Sequence, residues 1–202
     1  MKVIVVGTGT VGQAVSHMLM QHGHTVVTVG RTSGDHQADI TNTSSLMKLF
    51  SSIGDFDSVA CAAGEVFPAP LLLSTDQQWD ASIAAKGRGQ IDIVRCSLPY
   101  IADNGSYTLV SGILGDELTA ASTIGATINA MVEGFVRAAA SELPRGIRIN
   151  CVSPTVLVES PEYQPYFPGF PPIPAAKVAT AYLRTISNPF NGRIVKLHNL
   201  NA

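Results

Sequence analysis

The sequence is poor in charge. Only 14% of its 202 residues are Asp, Glu, Lys or Arg, and the formal net charge is −2. Nucleic-acid-binding proteins need clustered cationic side chains to neutralise phosphates, and this sequence has no basic stripe. We therefore expect no nucleic-acid partner and no anionic membrane surface as partner.

Long apolar runs are also absent, although 46% of the residues are hydrophobic. A membrane-spanning helix needs about 20 consecutive apolar residues, and the four apolar residues at 3–6 are too few for the core of a signal peptide. We expect a cytoplasmic protein with no membrane partner. Its length suits a single domain, 1–202, built around one core.

Cysteine is scarce, and its spacing matches neither a metal site nor a redox motif. Cys61, Cys96 and Cys151 lie apart in apolar runs, which indicates buried free thiols in a reducing compartment. His22 and His24 lie at a predicted helix end with no Cys or carboxylate set nearby. These two histidines indicate a surface turn, and we predict no metal.

A glycine pattern near the start of the chain is the most informative feature. The apolar run 3–6 leads into Gly7-x-Gly9-x-x-Gly12, and residues 13–21 follow the pattern of an amphipathic helix. In such a strand, turn and helix, the first glycine makes the turn, the second lets backbone approach a pyrophosphate, and the third permits close packing. The unpaired N–H groups of the helix then face the phosphates. We predict a dinucleotide here; the alternative is a glycine-rich turn that binds nothing. The predicted contacts are Gly7, Thr8, Gly9, Thr10, Val11 and Gly12.

The end of the second predicted strand, 25–29, bears on the choice of cofactor. An acidic residue at this point hydrogen-bonds the ribose 2′-OH of NAD, whereas an Arg accommodates the 2′-phosphate of NADP. Here Arg31, Thr32 and Ser33 follow the strand. We therefore predict that NADP(H) is preferred over NAD(H). A solvated turn arginine is the alternative, and Asp35 is close enough to compete.

The rest of the chain alternates strands with helices. Strands are predicted over 38–40, 57–61, 107–111, 147–152 and 193–197, and helices over 44–52, 79–101 and 123–143. This alternation predicts an α/β, three-layer, doubly wound Rossmann fold with a parallel sheet of about seven strands. The helix over 123–143 is rich in Ala and Gly, which permit close approach of another backbone. The long helices near 79–101 and 123–143 are therefore our candidate interface for a homodimer or homotetramer.

The segment 159–174 contains six prolines and four aromatic residues. Such a segment cannot continue a helix or strand for long, and its position after a strand end suggests a lid over the ligand. A structural surface loop is the alternative. Tyr163 and Tyr166 are possible phenol donors if the loop closes, or packing residues if it does not. Glu65 is a further candidate for facing the substrate.

Several segments resemble the short-chain dehydrogenase/reductase family, and the likeness covers nearly the whole chain. They are the glycine turn, Asp39-Ile40, the run Cys61-Ala62-Ala63-Gly64 in place of the family's Asn-Asn-Ala-Gly, and the stretches 133–137 and 142–154. The chain also resembles a compact bacterial subgroup of about this length. The resemblance implies a nicotinamide cofactor, hydride transfer to a carbonyl or from an alcohol, and a homo-oligomer. The implied cofactor contacts are Asp39, Ile40, Ala62, Ala63, Gly64 and Pro154.

The same resemblance exposes departures from the family pattern. The family uses a Tyr, a Lys four residues later, a Ser and an Asn as its catalytic side chains. Registration on 133–137 places the Tyr at Gly125 and the Lys at Asn129, and counting back from Gly125 places the Ser at Gly112. Alignment on 79–80 places the Asn at Lys86. The glycine turn has the general dinucleotide spacing and not the longer spacing common in this family. In addition, Pro154-Thr155 stands in place of the family's Pro-Gly.

Three polar residues remain as candidates for catalysis: Lys86, Ser111 and Asn129. We hypothesise that Lys86 donates a hydrogen bond to the cofactor ribose or the substrate oxygen, assisted by Ser111, because desolvation lowers the pKa of a lysine. A surface lysine is the alternative. The Asn129 amide is able to bond a ribose hydroxyl.

Two functions stay open at this point. One is an NADP(H)-dependent oxidoreductase with altered acid–base residues that acts on a small carbonyl or alcohol. The other is an NADP(H)-binding sensor or scaffold without catalysis.

Overall fold

The computed structural model describes residues 1–198. Seven strands form one parallel sheet in the order β3-β2-β1-β4-β5-β6-β7. They are β1 Lys2–Val6, β2 Thr25–Gly30, β3 His36–Gln37, β4 Phe56–Cys61, β5 Ile101–Val110, β6 Arg148–Pro154 and β7 Ile194–Leu197. The order reverses between β1 and β4, and ligands of such sheets bind at the carboxyl ends of the strands beside that point.

Helices cover both faces of the sheet. They are α1 Thr10–Gln21, α2 Thr43–Ile53, α3 Asp76–Ser82, α4 Gly89–Ser97, α5 Thr123–Glu142 and α6 Ala175–Ser187. Side chains alternate along a strand, so Val3 and Val5 join the core under α1 and α6, whereas Ile4 and Val6 join the core under α2, α4 and α5. The three-layer, seven-stranded Rossmann fold predicted from the sequence is confirmed. No helix within residues 1–198 is long and apolar enough to span a membrane.

The third strand was misplaced by the sequence pattern. Strand β3 is His36–Gln37, and the predicted strand over 38–40 is not part of the sheet. The Asp39 carboxylate accepts hydrogen bonds from the backbone N–H and the hydroxyl of Thr41, at 2.9 and 2.8 Å. This local turn closes the backbone on itself and ends the strand.

The single helix predicted over 79–101 is also wrong. It consists of α3, a π-helical turn Ile83–Arg88 and α4, and Ile101 already begins β5, which starts before the predicted residue 107. Thr75 and Gln78 form a capping box that starts α3 early. Helix α4 ends at Ser97, shortly before Pro99, which has no backbone N–H with which to continue the helix.

Helix α6 was missed from the sequence. Its apolar residues Val178, Tyr182 and Ile186 recur at four-residue spacing and are buried, a signal that the neighbouring proline-rich segment obscured. The Glu159 carboxylate accepts hydrogen bonds from the first N–H of this helix, that of Ala175.

The three cysteines are free thiols. Cys61 and Cys151 are buried as predicted, but Cys96 is only half-buried, because it lies at the partly exposed end of α4.

Candidate functional site

The predicted glycine turn joins β1 to α1. Gly7 has a φ of +112°, and a Cβ there would lie 2.6 Å from the carbonyl oxygen of Ala62. A Cβ on Gly12 would lie 1.8 Å from the carbonyl oxygen of Gly7, so strand and helix pack closely. A Cβ on Gly9, by contrast, would meet nothing within 4 Å. The fold therefore requires the first and third glycines, whereas the space before the second is open to a ligand.

A cavity of about 630 Å³ lies along the carboxyl ends of the central strands. The sequence-predicted residues that line it are Gly7, Thr8, Val11, Arg31, Asp39, Ile40, Ala62, Ala63, Gly64, Lys86, Ser111, Asn129 and Pro154. Five predicted contacts do not line it: Gly9, Thr10, Gly12, Thr32 and Ser33. The fold thus brings the two groups of candidates, cofactor and catalytic, into one cavity.

Arg31 lies at one end of this cavity, exposed to solvent. The nearby Asp35 carboxylate accepts hydrogen bonds from the N–H and hydroxyl of Thr28, both at 2.8 Å, which lower its pKa. The pKa of Asp39 is lowered by its hydrogen bonds from Thr41 and, to a smaller extent, by the charge of Arg31. Both carboxylates are therefore held by local backbone, and Asp35 is not among the cavity residues.

Lys86 reaches the cavity from the π-helical turn, an irregularity common at functional sites. Gly64, at φ +122°, allows this approach, since a Cβ there would lie 2.8 Å from the Lys86 Cα. The Lys86 Nζ donates a 2.8 Å hydrogen bond to the carbonyl oxygen of Ser111. Burial lowers the pKa of Lys86 to about 8, against smaller opposing effects of Cys61 and Cys151. An ammonium carries three protons, so two remain to face the cavity.

The Ser111 hydroxyl has a partner of its own. It donates a 2.9 Å hydrogen bond to Glu133 Oε1, and Arg137 donates to the other oxygen of this buried carboxylate at 3.0 Å. Ser111 therefore accepts the hydrogen bond from Lys86 with its backbone carbonyl oxygen, while its hydroxyl group bonds to Glu133. The sequence analysis did not predict a site role for Glu133. A carboxylate on the buried face of a predicted helix nevertheless indicates a hydrogen-bond or ion-pair partner inside the protein.

Two buried polar atoms at this end of the cavity have no hydrogen-bond partner within residues 1–198. Asn129 donates its amide N–H to the Gly112 carbonyl oxygen at 3.1 Å, which leaves Asn129 Oδ1 unpaired. The other atom is Thr155 Oγ1, in the residue that replaces the family's glycine. Unpaired buried polar atoms are rare and costly in proteins. Both atoms are covered by surrounding residues, so a ligand reaches them only after a local side-chain movement.

The place of the family's catalytic tyrosine holds hydrocarbon. A Cβ on Gly125 would lie 2.8 Å from Leu114 Cδ1 and 3.7 Å from a methyl group of Val66. No tyrosine in the sequence is followed by a lysine four residues later. Leu114, on the loop after β5, was not anticipated because its contact with α5 depends on the tertiary fold.

The proline-rich segment lies against the same cavity. It contributes Ser160, Tyr163, Tyr166 and Phe167 to the lining, and residues 164–166 form a single 3₁₀ turn. The two tyrosines are 42% and 44% exposed, so they border the mouth of the cavity. Glu65 also lines the cavity. The predicted position of the segment agrees with the structure, and its closure as a lid stays a prediction.

Comparison with known proteins agrees with this geometry. A family model described as enoyl-(acyl carrier protein) reductase matches residues 13–189. An uncharacterized oxidoreductase of Staphylococcus epidermidis is 23% identical over 172 residues, which cover 75% of this chain and 74% of that protein. A 3-oxoacyl-[acyl-carrier-protein] reductase of Thermotoga maritima is 31% identical over 117 residues, 56% of this chain and 47% of its own.

Solved structures of similar proteins share this fold over nearly the whole chain. The protein lin1944 of Listeria innocua is 38% identical and covers 97% of this chain and 98% of its own, with a TM-score of 0.94. A small-chain dehydrogenase crystallised with NADPH is 25% identical, covers 97% and 95%, and has a TM-score of 0.88. The chain therefore belongs to the short-chain dehydrogenase/reductase family, oxidoreductases that use a nicotinamide cofactor.

Proposed function

We propose that the protein is an NADP(H)-dependent oxidoreductase that transfers a hydride between the cofactor and a small, fairly apolar carbonyl or alcohol. The observation that carries this proposal is that a single cavity contains both the predicted cofactor contacts and the candidate catalytic residues. It has the glycine turn and Arg31 towards one end, and Lys86 with the unpaired atoms of Asn129 and Thr155 towards the other.

The cofactor contacts follow from that arrangement. The open space before Gly9 admits the pyrophosphate next to the first N–H groups of α1, which have no side-chain cap. Arg31 pairs with the 2′-phosphate. At the nicotinamide end, Asn129 Oδ1 accepts a hydrogen bond and the Thr155 hydroxyl accepts or donates one. The NADPH bound by the 25% identical relative supports this choice of cofactor. The bound cofactor supplies the hydride.

Lys86 is the proposed partner of the substrate oxygen. Its two remaining N–H groups donate to that oxygen while the bond to the Ser111 carbonyl fixes the ammonium. The lowered pKa of about 8 lets Lys86 both hold and release a proton near neutral pH. The fixed ammonium thereby stabilises negative charge on the substrate oxygen, and positioning of donor and acceptor adds to the rate.

A second function is favoured by a specific observation, the hydrocarbon at the tyrosine position. Leu114 against Gly125 leaves no phenol there, which suits a protein that binds NADP(H) as a sensor or scaffold and catalyses nothing. Turnover separates the two functions, because both require the nucleotide.

We also propose a homodimer or homotetramer formed through the helices near 79–101 and 123–143. Ile83 and Met131, on the π-helical turn and on α5, are large apolar side chains that remain 39% and 37% exposed in one chain. Burial of these side chains by a second copy would stabilise the assembly.

The test is transfer of a label. NADPH carrying deuterium at either face of C4 is incubated with the protein and a panel of small aldehydes and ketones. Stereospecific appearance of deuterium in the product supports an oxidoreductase. Tight NADPH binding without deuterium transfer and without oxidation of NADPH by any carbonyl, quinones included, supports the sensor, and absence of binding contradicts both functions.

A further inference from the structure

We infer that the substrate is a small quinone, which the protein reduces to the hydroquinone. This inference rests on the proposed oxidoreductase function and names its substrate class. It is argued from the donor present in the cavity, the tyrosine absent from it and the side chains that form its walls.

The first step concerns the proton. Reduction of a saturated ketone produces an alkoxide, a strong base that needs an acid aimed at it as the hydride arrives. At the position from which the family aims its phenol, this chain has Gly125 covered by Leu114 Cδ1. Reduction of a quinone produces an oxyanion whose charge is delocalised into an aromatic ring, and such a weak base needs only a hydrogen-bond donor.

The second step concerns the donor that is present. Lys86 and Arg31 are the two cationic side chains that line the cavity within residues 1–198, and Arg31 lies at the nucleotide end. The Lys86 ammonium is fixed by the Ser111 carbonyl oxygen at 2.8 Å and keeps two protons for a ligand. A fixed cation in an apolar cavity stabilises an oxyanion more strongly than a donor in water does.

The third step concerns the walls. The substrate end of the cavity is lined by hydrocarbon and aromatic side chains, namely Leu114, Val156, Leu157, Tyr163, Tyr166 and Phe167. Aromatic side chains pack well against planar rings. The cavity of about 630 Å³ must hold the cofactor as well, which leaves room within it for a quinone ring system of one or two rings.

The reaction balances with the components named. One carbonyl oxygen of the quinone accepts the hydride, so that an O–H bond forms as the C4–H bond of NADPH breaks. The ring becomes aromatic, the second oxygen carries the charge of the hydroquinone monoanion, and NADPH is oxidised to NADP⁺. Lys86 donates one proton to the monoanion, and solvent returns a proton to the Lys86 amine. The net change is quinone, NADPH and one proton to hydroquinone and NADP⁺.

The experiment compares two six-membered rings with carbonyl groups at the same positions. Tetramethyl-1,4-benzoquinone has no free ring position for thiols to attack, and cyclohexane-1,4-dione is the saturated analogue that yields an alkoxide. Initial rates are measured at saturating NADPH, with the reaction in buffer alone subtracted. The quinone is expected to exceed the dione in kcat/KM by about 100-fold or more.

Variants separate enzymatic preference from the intrinsic reactivity of quinones. Lys86→Met is expected to lower kcat with the quinone about 10-fold or more at saturating NADPH. Lys48→Met, an exposed lysine of α2 outside the cavity, should leave kcat unchanged. An unchanged kcat in Lys86→Met overturns the role of the ammonium.

The outcomes also separate this inference from the proposed function. Deuterium transfer to saturated ketones, with the dione turned over as fast as the quinone, overturns the quinone assignment and leaves the oxidoreductase intact. Failure to bind NADPH, or oxidation of NADPH by neither the quinone nor any ketone, overturns both.

Discussion

Leu114 Cδ1 lies where a side chain at position 125 would begin, 2.8 Å from a Cβ built on Gly125. A tyrosine at position 125 requires the Leu114 side chain to move aside, and overpacking of this kind costs about 1–3 kcal/mol. Gly125→Tyr with Asn129→Lys is therefore expected to lower the unfolding temperature without creating ketone reductase activity.

Adding Leu114→Ala to these two substitutions should relieve the overlap and raise reduction of cyclohexane-1,4-dione by about 10²-fold. Thermal unfolding and NADPH oxidation are measured on both variants. Full stability and activity in the variant that retains Leu114 would show that the leucine does not block the site.

Arg31→Ala tests the choice of cofactor. Loss of a charge-assisted hydrogen bond to the 2′-phosphate should weaken NADPH binding by about 1.5–3 kcal/mol, roughly 10- to 100-fold, and leave NADH nearly unaffected. Calorimetric titration with both nucleotides measures the difference. Arg184→Ala, an exposed arginine near the end of α6, is the matched control. Equal losses for NADPH and NADH would contradict the assignment.

Thr155→Val tests the unpaired hydroxyl. Thr155 Oγ1 is buried without a partner within residues 1–198, and removal of such a group at constant shape is neutral or stabilising. We expect unchanged or higher thermal stability and a weaker affinity for NADPH by about 1 kcal/mol, roughly fivefold. Thr127→Val, on the exposed face of α5, is the control. Lower stability with unchanged affinity would assign Thr155 to the core.

The pH dependence of turnover tests Lys86. The protonated form of Lys86 is lost as the pH rises through about 8. Above that pH, kcat/KM should therefore fall about 10-fold for each pH unit. Cys61 and Cys151 face this amine, but burial raises the pKa of each thiol to about 12, so both stay neutral. Lys86→Met should remove the decline, and a decline that persists in this variant would assign it to another group.

The same lysine makes a prediction about stability. Its folded pKa lies below its ordinary 10.5, so the unfolded chain binds more protons between about pH 8 and 10.5. The contribution of Lys86 to stability therefore rises with pH across this window. Denaturant unfolding of the wild type and of Lys86→Met measures this effect. The free energy of unfolding of the wild type should rise relative to that of the variant between these pH values. A constant difference would contradict the lowered pKa.

Arg148 is predicted to be the main support of the C-terminal end of α6. Its guanidinium donates to the carbonyl oxygens of Thr185, Ile186, Asn188 and Phe190 at 2.6–3.0 Å. Arg148→Met should reduce the free energy of unfolding by about 2–4 kcal/mol, because four carbonyl groups at this helix end lose a charged donor. Arg184→Met, also near the end of α6 but exposed, should cost less than about 0.5 kcal/mol. Comparable losses in the two variants would contradict this role.

The parts of the fold that could be predicted from the sequence are those encoded locally. The run 3–6, buried on both faces, and the spacing of Gly7, Gly9 and Gly12 predict a strand, a turn and a helix without reference to the rest of the chain. Arg31 and the residues of 62–64 follow strand ends, and parallel strands end at the same edge of the sheet. Their convergence on one cavity was predictable for that reason.

The remaining features depend on contacts between distant segments. The partner of Gly125 is Leu114, the partner of Ser111 is Glu133, and no spacing rule relates the residues of either pair. Strand β3 was misplaced because the turn around Asp39 outweighs the apolar character of 38–40. Helix α6 was not predicted because the prolines directly before it are typical of a segment that breaks regular structure.

The central claim is that the cavity binds NADP(H) between Arg31 and Lys86. The most direct measurement is a calorimetric titration of the purified protein with NADPH and, in parallel, with NADH. We predict micromolar binding of NADPH and much weaker binding of NADH. Binding of neither nucleotide would contradict the claim and leave the protein with a structural or partner-binding role.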